Sequence, residues 1–370
     1  AAPSVNAGVD LSSCKNNPAT ALAGLVTGPT STGVWSGGAG SYNPNSSTLN
    51  SIYTPNASEL AAGSVTLTLT SSANGNCIAG TDVVVINFTD PPSVNAGIDL
   101  SVCKNNAAAV LSGLVSGTST TGVWSGGLGT FNPNNGVLTA TYTPSASEIA
   151  TGIVTLTLTS TNNSNCNAVT DVVQINLTNE PVVNAGADIF ACENNINSVL
   201  TGVVSGPTST GVWSGGLGTF NPGNTALTTT YTPSQTEISA GFVILTLSST
   251  NNGNCNAVND FVQINFTSAP VVLAGNDISS CQNNPTSILS GIVTGPTTTG
   301  IWSGGAGTFN PSNTNLNSIY SPSPSELASG SATLILTSTN NGGCLQVTDT
   351  VVINYSNSPI ANAGLDLNVC

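Results

Sequence analysis

The strongest constraint on the fold is an internal repeat of 89 residues. Tryptophan recurs with this spacing at Trp35, Trp124, Trp213 and Trp302. Two cysteine series keep the same spacing, one starting at Cys14 and the other at Cys77. No insertion or deletion interrupts the register across four copies. A unit of this length can fold as a domain, so we expect tandem domains rather than short solenoid repeats, which close a core only with their neighbours.

Prolines mark the boundaries between the copies. We place four domains at 3–91, 92–180, 181–269 and 270–358, with the start of a truncated fifth copy at 359–370. The fifth copy stops on its first cysteine, so we expect the array to continue. The connections between copies are short and end in proline, which stiffens a linker. Together with the negative charge along the chain, this predicts an extended, semi-rigid rod.

Each copy reads as a small all-β domain. In the second copy, residues 153–159 alternate apolar and hydroxyl side chains, the period-2 pattern of a half-buried strand. Similar runs at 94–96, 110–115, 138–143 and 171–178, with a hairpin over 122–131, give about seven strands. This pattern is typical of an antiparallel β-sandwich of immunoglobulin-like type. One helical turn interrupts it, because S-x-x-E at Ser145 and Glu148 matches a capping box.

Composition excludes several classes of function. The chain has 2 Lys and Arg against 16 Asp and Glu, a net charge of −14, and no histidine. Two basic residues cannot neutralise a nucleic-acid backbone, and an anionic membrane would repel the chain. No apolar run is long enough to span a bilayer, so we expect no direct membrane insertion. Without histidine, Ser-His-Asp, Cys-His and histidine-metal sites are impossible.

The cysteines predict disulfides and therefore an exported, extracellular protein. Two pairings fit the spacing: a bond within each copy, or a bond such as Cys77–Cys103 between adjacent copies. We favour the first, because it makes each domain self-contained and leaves Cys370 unpaired in this sequence. Free buried thiols are the remaining alternative. The favoured pairs are Cys14–Cys77, Cys103–Cys166, Cys192–Cys255 and Cys281–Cys344.

The recurring carboxylates do not match the sequence pattern of a metal site or a catalytic site. Asp10 and Asp82 are weak calcium candidates, but no D-x-D-x-D-G loop accompanies them, so we expect no metal and no cofactor. Glu59 is explained as the far end of a capping box, and Asp10 and Asp82 as turn residues. A catalytic pair is therefore not expected. The glycine-rich segment after Trp35 does not precede a helix and is a poor phosphate cradle.

Three further patterns bear on which residues lie in the core and which lie at the surface. We expect the tryptophans in the core, near the disulfide; sugar stacking by an exposed ring is the alternative. The row Thr155, Thr157 and Thr159 is interpreted as the solvent face of a sheet, although such rows also occur in proteins that bind ice or glycans. Asn-x-Ser/Thr sequences make four positions candidates for glycosylation: Asn87, Asn176, Asn265 and Asn354.

The motifs taken together resemble a known class of repeat. V-N-A-G-x-D-x-x-x-C, then G-V-W-S-G-G-x-G-T-F-N-P, Y-T-P-S-x-x-E and D-V-V-x-I-N resemble the tandem PKD-like, immunoglobulin-like repeats of giant Bacteroidota cell-surface proteins. These include gliding-type adhesins, which are substrates of type IX secretion. The resemblance implies a β-sandwich and an outer-surface location. One departure is that Trp124-Ser125-Gly126-Gly127 replaces the W-x-F-G-D-G segment of ordinary PKD domains, so their acidic turn is missing.

These observations predict a non-enzymatic structural stalk or filament of a large surface adhesin. The expected partners are other copies, or the remainder of the same long chain, and surface glycans or other cells. The alternative is a multivalent glycan-binding array, in which weak binding by each copy is strengthened by avidity.

Overall fold

The computed structural model describes residues 1–362 and Gly364, and these residues form an almost entirely β protein. Cys370 lies outside the described residues. By its contacts the chain divides into two compact units, one comprising Ala1–Glu180 with Asn254–Asn256 and the other Pro181–Gly253 with Ala257–Cys370. The first unit contains the first two sequence repeats. The second contains most of the third repeat and the fourth.

The first unit has eighteen strands and two helices over residues 1–180. The first repeat contains β1 (Ser4–Asn6), β2 (Leu11–Cys14), β3 (Thr20–Ala21), β4 (Leu25–Thr27), β5 (Gly33–Ser36), β6 (Ser41–Asn43), β7 (Ile52–Thr54), α1 (Ala57–Ala62), β8 (Ser64–Ser71) and β9 (Thr81–Thr89). The second contains β10 (Ser93–Asn95), β11 (Leu100–Cys103), β12 (Ala109–Val110), β13 (Leu114–Ser116), β14 (Thr121–Ser125), β15 (Thr130–Asn132), β16 (Thr141–Thr143), α2 (Ala146–Thr151), β17 (Ile153–Thr161) and β18 (Thr170–Thr178).

The remaining residues repeat this order. The third repeat contains β19 (Val182–Asn184), β20 (Ile189–Cys192), β21 (Ser198–Thr201), β22 (Val203–Ser205), β23 (Thr210–Ser214), β24 (Thr219–Asn221), β25 (Thr228–Thr232), α3 (Gln235–Ala240), β26 (Phe242–Thr250) and β27 (Asn259–Thr267). The fourth contains β28 (Val271–Leu273), β29 (Ile278–Cys281), β30 (Ser287–Ile288), β31 (Ile292–Thr294), β32 (Thr299–Gly304), β33 (Thr308–Asn310), β34 (Ile319–Ser321), α4 (Pro324–Ser329), β35 (Ser331–Thr339) and β36 (Thr348–Ser356).

Every repeat has the same three sheets, which confirms the expected tandem β-sandwich. In the second repeat the large sheet has the order β11-β18-β17-β14, the smaller sheet has β12-β16-β15, and β10 pairs with β13. All pairs are antiparallel except β11 with β18, which run parallel. The first strand segment therefore crosses from a small ribbon, β10, to the edge of the large sheet, β11. This parallel edge determines where the cysteines lie.

The core of each repeat lies between its large and small sheets. In the second repeat, Leu156 and Leu158 from β17 and Ile175 from β18 meet Tyr142 from β16 around Trp124. The apolar members of the alternating pattern point inward, and the intervening threonines Thr155, Thr157 and Thr159 lie on the outer face of β17. Four equivalent clusters are described, each drawn from a single repeat.

The strand predictions need two corrections. The repeat has nine strands rather than about seven, because β11 was not recognised and the run 110–115 is split into β12 and β13. Gly113 lies in this break, where a Cβ would contact the Trp124 ring at 2.7 Å. The segment 122–131 is not a hairpin: β14 pairs with β17 and β15 with β16, so the glycine-rich turn between them passes from one sheet to the other.

The capping boxes are confirmed in all four helices. Ser145 accepts a hydrogen bond from the Glu148 backbone, and the Glu148 side chain accepts one from the Ser145 backbone. The helix ends at Gly152 in the left-handed conformation, with φ of 85°. The glutamate is also buried, which a capping box on an exposed helix does not require.

The glycine-rich turn of the third repeat provides a test of the packing. Gly216 has φ of +71°, and a Cβ there would overlap the Tyr231 hydroxyl, whereas a Cβ on Gly223 would have no neighbour within 4 Å. We expect Gly216→Ala to lower the free energy of unfolding by more than about 2 kcal/mol, and Gly223→Ala to change it by less than about 0.5 kcal/mol. Calorimetry of both variants measures this. Equal effects would contradict the turn described here.

Candidate functional site, a cysteine and asparagine clasp between repeats

The two cysteines of one repeat lie at opposite ends of it. Because β2 runs parallel to β9, Cys14 lies opposite Thr89, where the chain leaves the first repeat. Cys77 lies in the turn before β9, with its sulfur 3.6 Å from the carbonyl oxygen of Ala1. The nine-residue strand β9 between these positions is about 30 Å long. A disulfide requires Cα atoms less than about 7 Å apart, so the two cannot bond to each other.

The observed disulfides join successive repeats with a sequence separation of 152 residues. The bonds are Cys14–Cys166, Cys103–Cys255 and Cys192–Cys344. The favoured pairing within each repeat is therefore wrong, as is the alternative Cys77–Cys103. Cys77 and Cys281 are free among the described residues. Each bond links the first cysteine of one repeat to the second cysteine of the next.

Each disulfide lies beside the linker that connects the same two repeats. The Cys166 sulfur is 3.8 Å from the carbonyl oxygen of Asp90, in the segment that joins the first repeat to the second. On the other side of this linker, the backbone N–H of Lys15 donates to the carbonyl oxygen of Thr89 at 2.9 Å, and the Lys15 ammonium contacts the Asp90 carboxylate at 2.8 Å. The linker and the disulfide are thus two covalent connections between one pair of domains.

Asparagine side chains hold the same junction by hydrogen bonds. The Asn17 amide donates to the carbonyl oxygen of Asn165 at 3.0 Å, and the Asn165 amide donates to that of Ser12 at 3.1 Å. Asn16 accepts from the backbone N–H of Asn167 at 3.0 Å and donates to its carbonyl oxygen at 3.0 Å. We call this arrangement the clasp. Its hairpin half is the β2 end with Cys14, Asn16 and Asn17, and its turn half is 165–167.

The clasp recurs with little change. Asn105 and Asn106 bond to Asn256 and Asn254 within the first unit, at distances of 2.7–3.1 Å. In the second unit Asn194 and Asn195 bond to Leu345 and Gly343 at 3.0 Å. Leu345 takes part through its backbone only, so the third position of the turn half does not require an amide side chain. The sequence motif C-x-N-N is therefore the recurring element of the hairpin half.

The covalent bond dominates the energetics of the clasp. A disulfide that closes a loop of 152 residues contributes about 5 kcal/mol in the chain-entropy model. The hydrogen bonds of the clasp are solvent-exposed, and each contributes at most about 1 kcal/mol. The exposed Lys15–Asp90 ion pair contributes less. The asparagines therefore position the two cysteines more than they hold the repeats together.

The strongest electrostatic feature lies inside each repeat. Glu148 is 7% exposed, and its Oε1 atom accepts from the backbone N–H of Leu128 at 2.8 Å and from the hydroxyl of Tyr142 at 2.8 Å. Its Oε2 atom accepts from the backbone and hydroxyl of Ser145. Burial alone would raise the pKa of Glu148, but these donors stabilise the carboxylate and hold its pKa below the ordinary 4.5.

The tyrosine of this cluster is shifted in the opposite direction. Burial, followed by the hydrogen bond to Glu148, raises the pKa of Tyr142 to about 12. Its hydroxyl also accepts from the backbone N–H of Gly129 at 2.8 Å. All polar atoms are thus satisfied within the repeat, and the cluster fastens the glycine-rich turn to the helix. This geometry explains the shifted pKa values without a catalytic role.

The calcium candidates also bond to the backbone. Asp82 Oδ2 accepts from Ala7 N–H at 2.8 Å, and Asp10 Oδ1 accepts from Val85 N–H at 2.9 Å. Asp10 was expected to bond within its own turn and instead bonds across to β9, while Asp82 lies within β9 rather than in the turn before it. No group of three or more potential metal ligands occurs among the described residues.

The tryptophans are core residues in all four repeats. Each is at most 1% exposed, and the indole N–H of Trp35 donates to the carbonyl oxygen of Leu49 at 3.0 Å. An exposed sugar-stacking ring is therefore ruled out at these positions. The expected neighbouring disulfide within the repeat does not exist.

The four glycosylation candidates stay predictions. They lie on the last strand of each repeat rather than in loops: Asn87, Asn176 and Asn354 are exposed, and Asn265 is half-buried and accepts from the Gln263 amide. No helix among the described residues is long and apolar enough to cross a membrane.

Comparison with known proteins leaves the function open. No protein-family model and no curated protein matches the sequence. Among solved structures, the chain is similar to protocadherin gamma B2 extracellular cadherin domains 3–6, at 13% identity over 96% of this chain and 100% of that one, with a TM-score of 0.29. It is also similar to the titin I-band fragment I67–I69, at 11% identity over 73% of this chain and 99% of that one, with a TM-score of 0.38. The similarity to Drosophila N-cadherin EC1–4 is at 12% identity over 95% of this chain and 99% of that one, with a TM-score of 0.30.

The glutamate cluster provides a pH test in the third repeat. Since the folded pKa of Glu237 is lowered, its stabilisation is present above pH 4.5 and is lost as the pH falls through the folded value. Glu237→Gln should lower the free energy of unfolding by about 2–3 kcal/mol at pH 7, because an amide N–H₂ then faces hydrogen-bond donors. The deficit should shrink at pH 3, because below pH 4.5 the unfolded wild-type chain gains a proton that the folded carboxylate resists.

The exposed Glu193→Gln in the same repeat is the matched control. It should change stability by less than about 0.5 kcal/mol at either pH. Urea denaturation at pH 7 and pH 3 measures both variants. A Glu237→Gln deficit that is the same at the two pH values would contradict the ionised state assigned to the cluster.

Proposed function

We propose that the chain is a tension-bearing segment of an extracellular stalk and has no enzymatic role. The observation that carries this proposal is the overlapping set of disulfides between repeats. A domain that only displays a binding site does not need a covalent bond beside each linker. A chain that must transmit force gains from one, because the bond limits how far the chain can be extended.

The disulfides create a short covalent path along the chain. From Cys14 the path crosses to Cys166, follows 26 residues to Cys192, and crosses again to Cys344. At about 3.5 Å per extended residue, the distance between Cys14 and Cys344 cannot exceed about 100 Å even if every repeat unfolds. The reduced chain would reach about 1,150 Å over the same residues. Bonds within each repeat would allow about 300 Å, so the observed pairing limits extension most.

Other features of the chain support the same role. The linkers contain proline, as in Asp90-Pro91-Pro92, and the predominantly negative charge opposes back-folding. Disulfides form and persist in oxidising compartments outside the cytosol. The motifs resemble repeats of giant surface adhesins, so we place the stalk on a cell surface, exported and extended by further repeats or copies. Its polar outer faces, which include Asn87 and Asn176, are available for glycans.

The glycan-binding alternative has lost its candidate residue. Trp35 and its equivalents are buried, and the carboxylates that could bind sugar hydroxyls bond to the backbone instead. We therefore place any adhesive function outside these repeats, at a part of the assembly that the stalk would carry.

Single-molecule stretching tests the proposal. The chain is tethered through short handles before residue 4 and after residue 357 and pulled first without and then with a reductant. We expect the oxidised chain to extend by no more than about 200 Å in total and the reduced chain to show steps of roughly 300 Å as each repeat unfolds. Steps of roughly 300 Å from the oxidised chain would contradict a tension-bearing role for the disulfides.

A Cys77→Ser, Cys281→Ser variant is the control. Both replaced cysteines are free, so this variant should behave like the parent chain. A Cys166→Ser variant opens the first bridge and should lengthen the shortest covalent path between residues 4 and 357 from about 180 Å to about 620 Å, because that path then runs through Cys103–Cys255 and Cys192–Cys344.

A further inference from the structure

The outer face of the large sheet is aromatic in the third repeat only. Phe190 on β20, Phe242 on β26 and Phe261 on β27 are 73%, 49% and 65% exposed. Ile244 on β26 is 47% exposed. The other repeats hold smaller side chains at the three phenylalanine positions: Ser12, Ser64 and Val83 in the first, Ser101, Ile153 and Val172 in the second, and Ser279, Ser331 and Thr350 in the fourth. Those repeats have the same fold, so the fold does not require aromatic rings here.

Strand pairing places these side chains on one surface. Phe190 and Phe242 are both opposite Asn265, from the two sides of β27. In the next row, Ile244 is opposite Gln263. Alternate residues of a strand share a face, so positions 261, 263 and 265 of β27 lie on the same side of the sheet. We call this surface the aromatic patch; its residues, none of them charged, are Phe190, Phe242, Ile244, Phe261, Gln263 and Asn265.

The patch is exposed although both neighbouring repeats are present. The third repeat takes part in two complete clasps, through Cys103–Cys255 and Cys192–Cys344. A further repeat attached through a clasp at either end of the array would therefore add no neighbour to the third. The occupant of the patch has to come from outside this tandem arrangement.

The area of the patch matches one side of a protein–protein contact. At about 200 Å² for a fully exposed phenylalanine, the patch exposes roughly 450 Å² of apolar surface. The largest apolar patch of a typical monomer is about 300–600 Å² and is often functional. A stable interface buries about 800 Å² per partner, and somewhat more than half of that area, or about 450 Å², is apolar. The patch therefore supplies the apolar share of such an interface.

The amides at the centre of the patch are self-complementary. The Gln263 amide donates to the side-chain oxygen of Asn265 at 2.6 Å. The Gln263 side-chain oxygen and the Asn265 N–H₂ group have no hydrogen-bond partner among the described residues. Each copy thus offers one acceptor and one donor side by side. A two-fold axis pairs each of them with the complementary group of a second copy, as an isologous contact requires.

We propose that the aromatic patch binds the aromatic patch of a second copy of this chain, face to face and with two-fold symmetry. The phenylalanines pack between two sheets that lie about 10 Å apart. The Asn265 amide of each copy donates to the Gln263 side-chain oxygen of the other. An isologous contact closes on itself, so the product is a dimer. This inference concerns assembly and holds whether or not the array bears tension.

Sedimentation velocity of the full chain tests the proposal. Every chain carries Cys77→Ser, Cys281→Ser and Cys370→Ser, so that no disulfide can link two copies. Salt at about 0.15 M screens the repulsion between the negatively charged chains, because the Debye length is then about 8 Å. At about 100 μM protein we expect a reversible dimer and no larger species. A monomer, or a series of larger species, would overturn the proposal.

Replacing the aromatic rings by the residues of the fourth repeat should weaken the dimer. The combined change Phe190→Ser, Phe242→Ser and Phe261→Thr should raise the dissociation constant about tenfold or more, because the apolar centre of the contact is lost. The fold tolerates these residues, since the fourth repeat carries them. The matched control is Ile153→Ser with Val172→Thr, at equivalent exposed positions of the second repeat, and should leave the dissociation constant unchanged. Equal effects of the two sets would overturn the proposal.

A second pair of variants tests the two-fold arrangement of the amides. Gln263→Glu with Asn265→Asp brings four carboxylates together across the axis and should weaken the dimer about tenfold or more. The second repeat has the same residues at the equivalent positions, and Gln174→Glu with Asn176→Asp should leave the dimer unchanged. A dimer that is unaffected by the first pair, or equally weakened by both pairs, would overturn the arrangement.

Discussion

The parallel pairing of the second strand with the last strand of each repeat determines how the repeats are connected. This pairing carries the first cysteine to the end of the domain where the chain leaves it, opposite Thr89 in the first repeat. The second cysteine lies near the entering linker, in the turn before the last strand. The cysteines therefore face neighbouring repeats, and bonds between repeats follow from the topology of a single repeat.

Inside each repeat, a buried glutamate holds the helix and the glycine-rich turn together. Glu148 completes the capping box of its helix, accepts from Tyr142, and fixes the turn through which the chain passes between sheets. A carboxylate is suited to this position because several N–H and O–H donors converge there. Burial and the hydrogen bond to Glu148 raise the pKa of Tyr142 to about 12 for structural reasons, so such a shift is not by itself a sign of catalysis.

Much of the fold could be predicted from the sequence, because it depends on local patterns. The alternation in 153–159, the capping box at Ser145 and the buried Trp124 are each encoded within a few residues. The clasp could not be predicted, because cysteine spacing alone does not show which edge of a sheet the segment 100–103 joins. The pairing of 100–103 with the last strand is long-range in sequence. It separates the two cysteines of one repeat, so the disulfides form between repeats and not within them. The C-x-N-N motif recurs in the sequence, but the sequence does not show which segment it contacts.

Non-reducing peptide mapping by mass spectrometry tests the central claim most directly. The native chain is alkylated, digested without reduction and searched for linked peptides. The account predicts links that join Cys14 to Cys166, Cys103 to Cys255 and Cys192 to Cys344, with Cys77 alkylated in the monomer. Links that join Cys14 to Cys77 and Cys103 to Cys166 would show that each repeat closes its own bond, and would contradict the account.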